Sequence, residues 1–270
     1  MKKNFWWITS IVLVLSIIII SWRSAATHTN ISKSKNDPAA VKNAPIVSAY
    51  GTYVNTIYQS ANLMTSGLDY TVFEKAVTGY YNLKQNHKLN DNSSIITIVD
   101  FNKPSREKRM WIVDLAKKQL LLNTWVAHGQ GSGNDVATQF SNTADSHQSS
   151  LGFYVTDGIY FGKHGRSLKL DGMDAGFNSN ARARAVVLHA AAYVCQSTIN
   201  QLGRLGRSFG CPAVSPEVSN QIIDLIKGKN MLFINANSNA YTSKYLNNAF
   251  ASNFAVPDTN SSQQVLRAAL

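Results

Sequence analysis

Short apolar runs bounded by turn residues recur through the middle of this chain, and they constrain its fold more than any other feature. They lie at residues 94–100, 110–114, 120–127, 152–155, 168–170, 185–188 and 231–235. Runs of this length, rich in branched and aromatic side chains, are typical of β-strands. Their spacing favours a β-sandwich or barrel over alternating strands and helices. We therefore predict a mainly β domain with few helices over residues 91–235.

Helices are expected on both sides of the strand series. Residues 45–90 have helical periodicity, and Thr71 with Glu74 matches a capping box. A later helix is predicted to begin after Ser215, with Pro216 in its first turn, and to end at Gly228. Residues 25–44 are polar and predict a linker, and residues 236–270, rich in Asn, Ser and Ala, predict a loosely ordered tail.

The N-terminus carries a targeting signal. Lys2 and Lys3 precede an uncharged apolar run at residues 5–22. Its length lies between a long signal-peptide core and a short membrane span, so residues 1–24 are either a signal peptide or an N-terminal membrane anchor. In both cases we expect export to the cell envelope, in the periplasm or on the outer face of the cytoplasmic membrane.

The charge balance limits the classes of partner. The 270 residues carry a formal net charge of +11. This basicity suits an anionic polymer or a membrane surface, whereas nucleic acid is not expected because no nucleic-acid-binding motif accompanies the charge. The histidines are too widely spaced for a zinc site, so no metal is predicted. Nothing in the sequence indicates an oligomeric state.

His189 and Cys211 are the residues that suggest chemistry. His189 ends an apolar run, and Cys211 follows in a glycine-containing loop with Ser208 and Gly210. An imidazole beside a thiol suits nucleophilic catalysis, and Gly210 lets the backbone direct N–H groups at a forming oxyanion. Ser208 is expected to orient the imidazole or to donate to substrate. A lone His and a lone Cys are more often structural residues.

The second cysteine bears on the first. A disulfide between Cys195 and Cys211 is conceivable in an exported chain, but it would silence the nucleophile. We instead expect Cys211 to be free and Cys195 to be buried as a small apolar residue.

Basic and aromatic residues near this pair are candidates for substrate binding. Arg204 and Arg207, like Arg182 and Arg184, have guanidinium groups that suit carboxylates, although a solvated basic face is the simpler alternative for any one of them. His164 and Tyr160 are further candidates for lining a groove.

At these residues the chain resembles the L,D-transpeptidases of the YkuD type, and in particular their divergent branch of murein L,D-transpeptidase catalytic domain proteins. The family motif is a histidine, a gap, and Ser/Thr-His-Gly-Cys. Here it stands as His189 and Ser208-Phe209-Gly210-Cys211. Phe209 replaces the usual histidine, and Pro212 follows where arginine is common. Blocks of the divergent branch are matched at residues 140–142, 149–152, 162–165 and 206–208.

The resemblance implies a β-sandwich catalytic domain that acts on peptidoglycan stem peptides without a cofactor. Cys211 would attack the third residue of a tetrapeptide stem, His189 would act as base, and the Gly210 and Cys211 backbone would hold the oxyanion. Two alternatives stay open: a cysteine-dependent L,D-carboxypeptidase or endopeptidase of murein, and a non-catalytic murein-binding protein of the same fold.

Overall fold

The computed structural model describes residues 38–255, and the side chains of residues 49–253. The chain divides into two compact units, Met1–Ala40 and Val41–Leu270. Apart from the first residues of one helix, the description below concerns the second unit. The apolar run at 5–22, and the signal peptide or anchor predicted from it, lie outside the described residues. Within the described residues no helix is both long and apolar enough to cross a membrane.

Eight strands form one mixed sheet. They are β1 Ile95–Asp100, β2 Met110–Asp114, β3 Gln119–Thr124, β4 Gly152–Gly162, β5 Gly165–Gly172, β6 Val187–Ala190, β7 Ala213–Val214 and β8 Met231–Asn235. Their order is β3-β2-β1-β8-β4-β5-β6-β7. The β1–β8 and β6–β7 pairs are parallel and the others antiparallel. Bridges Ala127–Ala213 and Gly129–Ser208 join the chain after β3 to the β7 edge, so the sheet nearly closes into a barrel. The predicted mainly β fold is confirmed.

Helices cover both faces of the sheet. They are α1 Pro38–Ser60, α2 Tyr70–Gln85, α3 Gln196–Leu202, α4 Pro216–Ile226 and α5 Asn248–Ala255, with 3₁₀ turns at Gln130–Ser132 and Lys244–Leu246. Alternate residues along each strand enter two cores. Phe153 and Phe233 pack with α1, α2 and the C-terminal segment. Tyr154 and Leu232 pack with α4 on the other face.

Helix boundaries differ from the predictions at two places. Helix α1 begins at Pro38, inside the range predicted to be a linker. The N-cap of α2 is Asp69 and not Thr71, because its carboxylate accepts the Thr71 N–H at 2.8 Å and the Val72 N–H at 3.3 Å. Helix α4 has Ser215 as its N-cap residue and Pro216 in its first turn, as predicted.

The C-terminal segment is packed, unlike the loosely ordered tail predicted from its composition. Asp174 accepts hydrogen bonds from the Tyr241 hydroxyl at 2.8 Å and the Ser243 hydroxyl at 2.6 Å. Tyr245 and Ala251 are buried in the same core as Phe153. The described part of this segment is therefore tied to the sheet by a few well-placed contacts that its polar composition conceals.

Candidate active site

The sheet brings His189 and Cys211 together. Ser167, His189 and Ala213 lie directly opposite one another on β5, β6 and β7. Cys211 comes two residues before Ala213, and the His189 N–H donates to the Pro212 carbonyl at 3.4 Å. The Cys211 Sγ accepts the Val187 N–H at 3.4 Å. His189 thus lies on β6 and Cys211 in the loop that leads into the neighbouring strand β7, because the parallel pair holds that loop beside β6.

The His189 imidazole is held in its neutral form. Its side chain is only 2% exposed. Nδ1 donates to the Ala190 carbonyl at 2.9 Å, so Nε2 carries the lone pair. Burial lowers the pKa of His189, and the neighbouring His164 lowers it further. The hydrogen bond to the Ala190 carbonyl raises this pKa in part. The His164 ring stacks on the His189 ring with centroids 4.1 Å apart and an angle of 24°. The site therefore favours imidazole over imidazolium.

Cys211 rests as a thiol. Burial raises its pKa, while the Val187 N–H and the positive charge of Arg184 act in the opposite direction. A neutral thiol needs general-base removal of its proton before it can attack a carbonyl. Both cysteines are free, as predicted. The predicted burial of Cys195 is wrong: it is half-buried before α3, with its sulfur 3.3 Å from the Thr198 hydroxyl, because the helix start lies at the surface.

The loop before Cys211 is braced by serine hydroxyls. Ser208 Oγ donates to the Cys211 carbonyl at 2.6 Å and accepts the Gly210 N–H at 3.1 Å. Ser149 Oγ donates to the Gly210 carbonyl at 3.1 Å. Ser208 is thus a positioning residue of its own loop, and no hydrogen bond joins it to the His189 imidazole in the described part of the chain.

Gly210 and Cys211 differ in whether their backbone N–H groups are hydrogen-bonded. The Gly210 N–H, expected at the oxyanion, is already bonded to Ser208. The Cys211 N–H has no partner among the described residues, and Pro212 has no N–H to offer. Gly210 has φ +122°, and a Cβ there would lie 2.9 Å from the Gln148 carbonyl oxygen. Its role is therefore to let the loop pass beneath Gln148.

The predicted substrate-binding residues separate into two groups. Tyr160 lies opposite Ser167 in the β4–β5 pair, in line with His189, and His164 stacks on that imidazole. Arg204 instead donates to the Leu205 carbonyl at 2.6 Å, and Arg207 donates to the Gly133 carbonyl at 2.8 Å. Neither arginine forms a hydrogen bond or ion pair with His189 or Cys211 in the residues the structure describes.

Phe209 occupies the position of the second histidine of the common motif. Its side chain is 69% exposed. The ring stacks on His147 with centroids 4.5 Å apart and an angle of 22°. Phe209 therefore forms a solvent-facing aromatic surface beside Cys211 and takes no part in holding His189.

A buried basic pair supports the loop from behind, and the sequence patterns did not single it out. Arg109 is fully buried, donates to the Val126 carbonyl, and reaches His128 Nδ1 at 2.7 Å. Burial, followed by the Arg109 charge, lowers the pKa of His128 to about 4. The His128 carbonyl accepts the Ser208 N–H at 3.0 Å. This pair thus fixes the segment after β3 to which the loop before Cys211 is hydrogen-bonded.

The described residues contain no candidate metal site. They contain no group of three or more His, Cys, Asp or Glu side chains arranged to hold an ion.

The family of the chain follows from its sequence profile. The family model of the L,D-transpeptidase catalytic domain, YkuD_2, matches residues 64–235. The chain therefore belongs to the L,D-transpeptidase catalytic domain family. No curated protein sequence matches the chain.

Solved structures of L,D-transpeptidases resemble parts of the chain. One from Mycobacterium smegmatis is 11% identical, with a TM-score of 0.33, over 53% of this chain and 59% of its own. One from Stackebrandtia nassauensis is 11% identical, with a TM-score of 0.34, over 56% and 59%. The helical cell shape determining protein Pgp2 (K307A mutant) from Campylobacter jejuni is 10% identical, with a TM-score of 0.39, over 66% and 62%. The chain thus spans about three fifths of these proteins.

Proposed function

We propose that the protein is an exported peptidoglycan L,D-transpeptidase with Cys211 as nucleophile and His189 as base. The observation that carries this proposal is the pairing of β6 with β7. It sets a thiol beside the strand that holds an imidazole whose Nδ1 is bonded to the Ala190 carbonyl. Nε2 is then the nitrogen left to accept a proton. Membership of the family supports the reaction class.

In the acylation step, Nε2 of His189 takes the thiol proton while Sγ of Cys211 attacks the carbonyl of the third stem residue. The tetrahedral oxyanion is stabilised by the unpartnered Cys211 N–H. Collapse breaks the bond to the terminal D-alanine, whose amine leaves with the proton from His189. A thioester on Cys211 remains.

In the deacylation step, an amine of a neighbouring stem attacks the thioester. His189 takes the amine proton and returns it to the sulfur as the thiol departs, which forms the cross-link and restores the enzyme. Attack by water through the same steps gives a tripeptide and makes the protein a hydrolase. No step uses a cofactor or a metal.

The cell envelope is the proposed location. The lysines and apolar run at the N-terminus support export, with residues 5–22 as either a cleaved leader core or an anchor. The net charge of +11 supports association with an anionic wall polymer.

The test is the full chain, in detergent, incubated with disaccharide-tetrapeptide and followed by mass spectrometry. We expect a cross-linked dimer with loss of D-alanine, and a thioester on Cys211. Cys211→Ser should lower the rate by at least about 10³-fold because the thiolate is lost. The matched control, Cys195→Ser, should keep full activity. Formation of tripeptide alone would identify the protein as a hydrolase. The absence of a covalent adduct on Cys211 would contradict both the transpeptidase and the hydrolase.

A further inference from the structure

Arg184 lies in the turn before β6 and holds a serine-rich segment, residues 141–150. Its Nη1 donates to the Ser141 carbonyl at 2.7 Å and to the Ser150 hydroxyl. Its Nη2 donates to the Gln148 carbonyl at 2.8 Å and to the Ser146 hydroxyl at 3.2 Å. Every one of these acceptors is neutral. Within the described residues no carboxylate pairs with Arg184, so its positive charge is uncompensated.

The Arg184 guanidinium lies against the nucleophile loop. A Cβ built on Gly210 would be 3.4 Å from Nη2 and 2.9 Å from the Gln148 carbonyl that this nitrogen binds. The next residue in the chain, Ala185, has its carbonyl 3.8 Å from the Cys211 sulfur. The cation therefore sits beside the backbone that leads into the thiol.

We propose that Arg184 is a positioning residue that fastens the 141–150 segment against the nucleophile loop and stabilises the Cys211 thiolate with its unpaired charge. The inference rests on the proposed role of Cys211 as nucleophile and adds the source of its activation. It also assigns Arg184 a role other than binding substrate carboxylates, since its donors are already engaged.

The other ionisable groups around the thiol do not supply this charge. Burial raises the pKa of the Cys211 thiol, and Arg184 lowers it. Tyr154 and Tyr193 also interact with Cys211, but a tyrosine contributes no positive charge. His189 is kept neutral by burial. Arg184 is thus the cation that offsets the desolvation of the thiolate.

Arg182 provides a matched control two residues away. It is exposed, and its guanidinium pairs with Asp157 at 2.6 Å and with Asp171 at 2.7 Å. Its charge is therefore neutralised locally, whereas that of Arg184 is not.

The test measures the pH dependence of Cys211 alkylation by iodoacetamide without substrate. The full chain carries Cys195→Ser, so that one thiol reacts. Arg184→Met should move the midpoint to higher pH and slow alkylation at pH 7 by roughly three- to tenfold, because the thiolate loses its cation. Arg182→Met should leave the profile unchanged. An unchanged midpoint in Arg184→Met would overturn the proposal.

Arg184→Lys separates the effect of charge from that of geometry. It also replaces Arg184→Met in the test if near-UV circular dichroism shows that Arg184→Met fails to fold. Lysine keeps the charge but loses the planar fork. We expect a midpoint close to that of the parent together with faster proteolysis within residues 141–150. A midpoint raised while the charge is kept would overturn the electrostatic role. Because no turnover is measured, this result is independent of whether the protein is a transpeptidase.

Discussion

At the scale of the residue, the loop that carries Cys211 depends on one backbone conformation. Gly210 adopts φ +122°, which lets its carbonyl accept from Ser149 while its N–H reaches Ser208. Only glycine takes this conformation at little cost. The loop is consequently pinned on both sides of Gly210, and the Cys211 N–H is left without a partner among the described residues.

Gly210→Ala should destabilise the fold by about 1–3 kcal/mol and remove most activity, because both the φ angle and the contact with Gln148 are unfavourable. Urea unfolding and the dimer-forming assay measure the two effects. Gly176→Ala is the control, since Gly176 also has a positive φ, +82°, but has nothing within 4 Å of a new Cβ. It should cost about 1 kcal/mol and leave turnover unchanged. Equal loss of activity in both variants would refute the role assigned to the loop.

At the scale of the element, the C-terminal segment completes a core that the sheet and the first two helices leave open. Tyr245 is buried and meets the Phe153 ring edge-on at a centroid distance of 6.1 Å. Its carbonyl accepts the Asn82 side-chain amide of α2 at 2.7 Å. The segment therefore joins α2 to β4 and stabilises the sheet at a distance from the catalytic loop.

Tyr245→Ala should lower the free energy of unfolding by about 3–4 kcal/mol, because it removes a buried aromatic ring and leaves a cavity. Phe250→Ala, in α5 of the same segment, is the control because Phe250 is 45% exposed. It should cost less than about 1 kcal/mol. Thermal unfolding of the two variants measures the difference, and similar midpoints would show that the segment is not part of the core.

At the scale of the whole molecule, folding buries two basic groups in the interior. Arg109 and His128 are hydrogen-bonded to each other, and burial lowers the pKa of Arg109 to about 9 and that of His128 to about 4. His128 stays neutral in the fold across the range in which an ordinary histidine, of pKa 6.5, becomes charged. Global stability is consequently linked to pH.

Between pH 6.5 and about 4 the unfolded chain binds a proton at His128 that the folded chain does not. Stability should therefore fall as the pH is lowered through this window, by roughly 3 kcal/mol in all, and level off below it. Urea unfolding at several pH values measures the slope. His128→Gln should flatten it, while His87→Gln, at an exposed site, should not. A slope unchanged in His128→Gln would rule out this group as its source.

The elements were predictable because their signals are local. Branched side chains predict the strands at residues 95–100, 110–114 and 231–235. Ser215-Pro216 predicts the start of a helix. Strand β7 has two residues and α3 has no buried face, so neither leaves a periodic pattern. The described part of the tail was mispredicted for a related reason, since buried Tyr245 and Ala251 and the hydrogen bonds to Asp174 outweigh a polar composition.

Within the site, the sequence by itself determined the candidate pair. His189 at the end of an apolar run and Cys211 in a glycine loop are recognisable as residue types in a pattern. Their roles remain a proposal that the alkylation and cross-linking experiments test.

Tertiary structure alone decided which groups around that pair are free. Ser208 accepts a hydrogen bond from the Gly210 N–H, and Arg204 and Arg207 donate to backbone carbonyls. Arg184 keeps an unpaired charge beside the loop that carries the thiol. The bonds of Arg207 and Arg184 join segments far apart in the chain, whereas those of Ser208 and Arg204 are local and form only in the folded backbone of this loop. Since such bonds depend on distances of about 3 Å and on burial, no local pattern of residues encodes them.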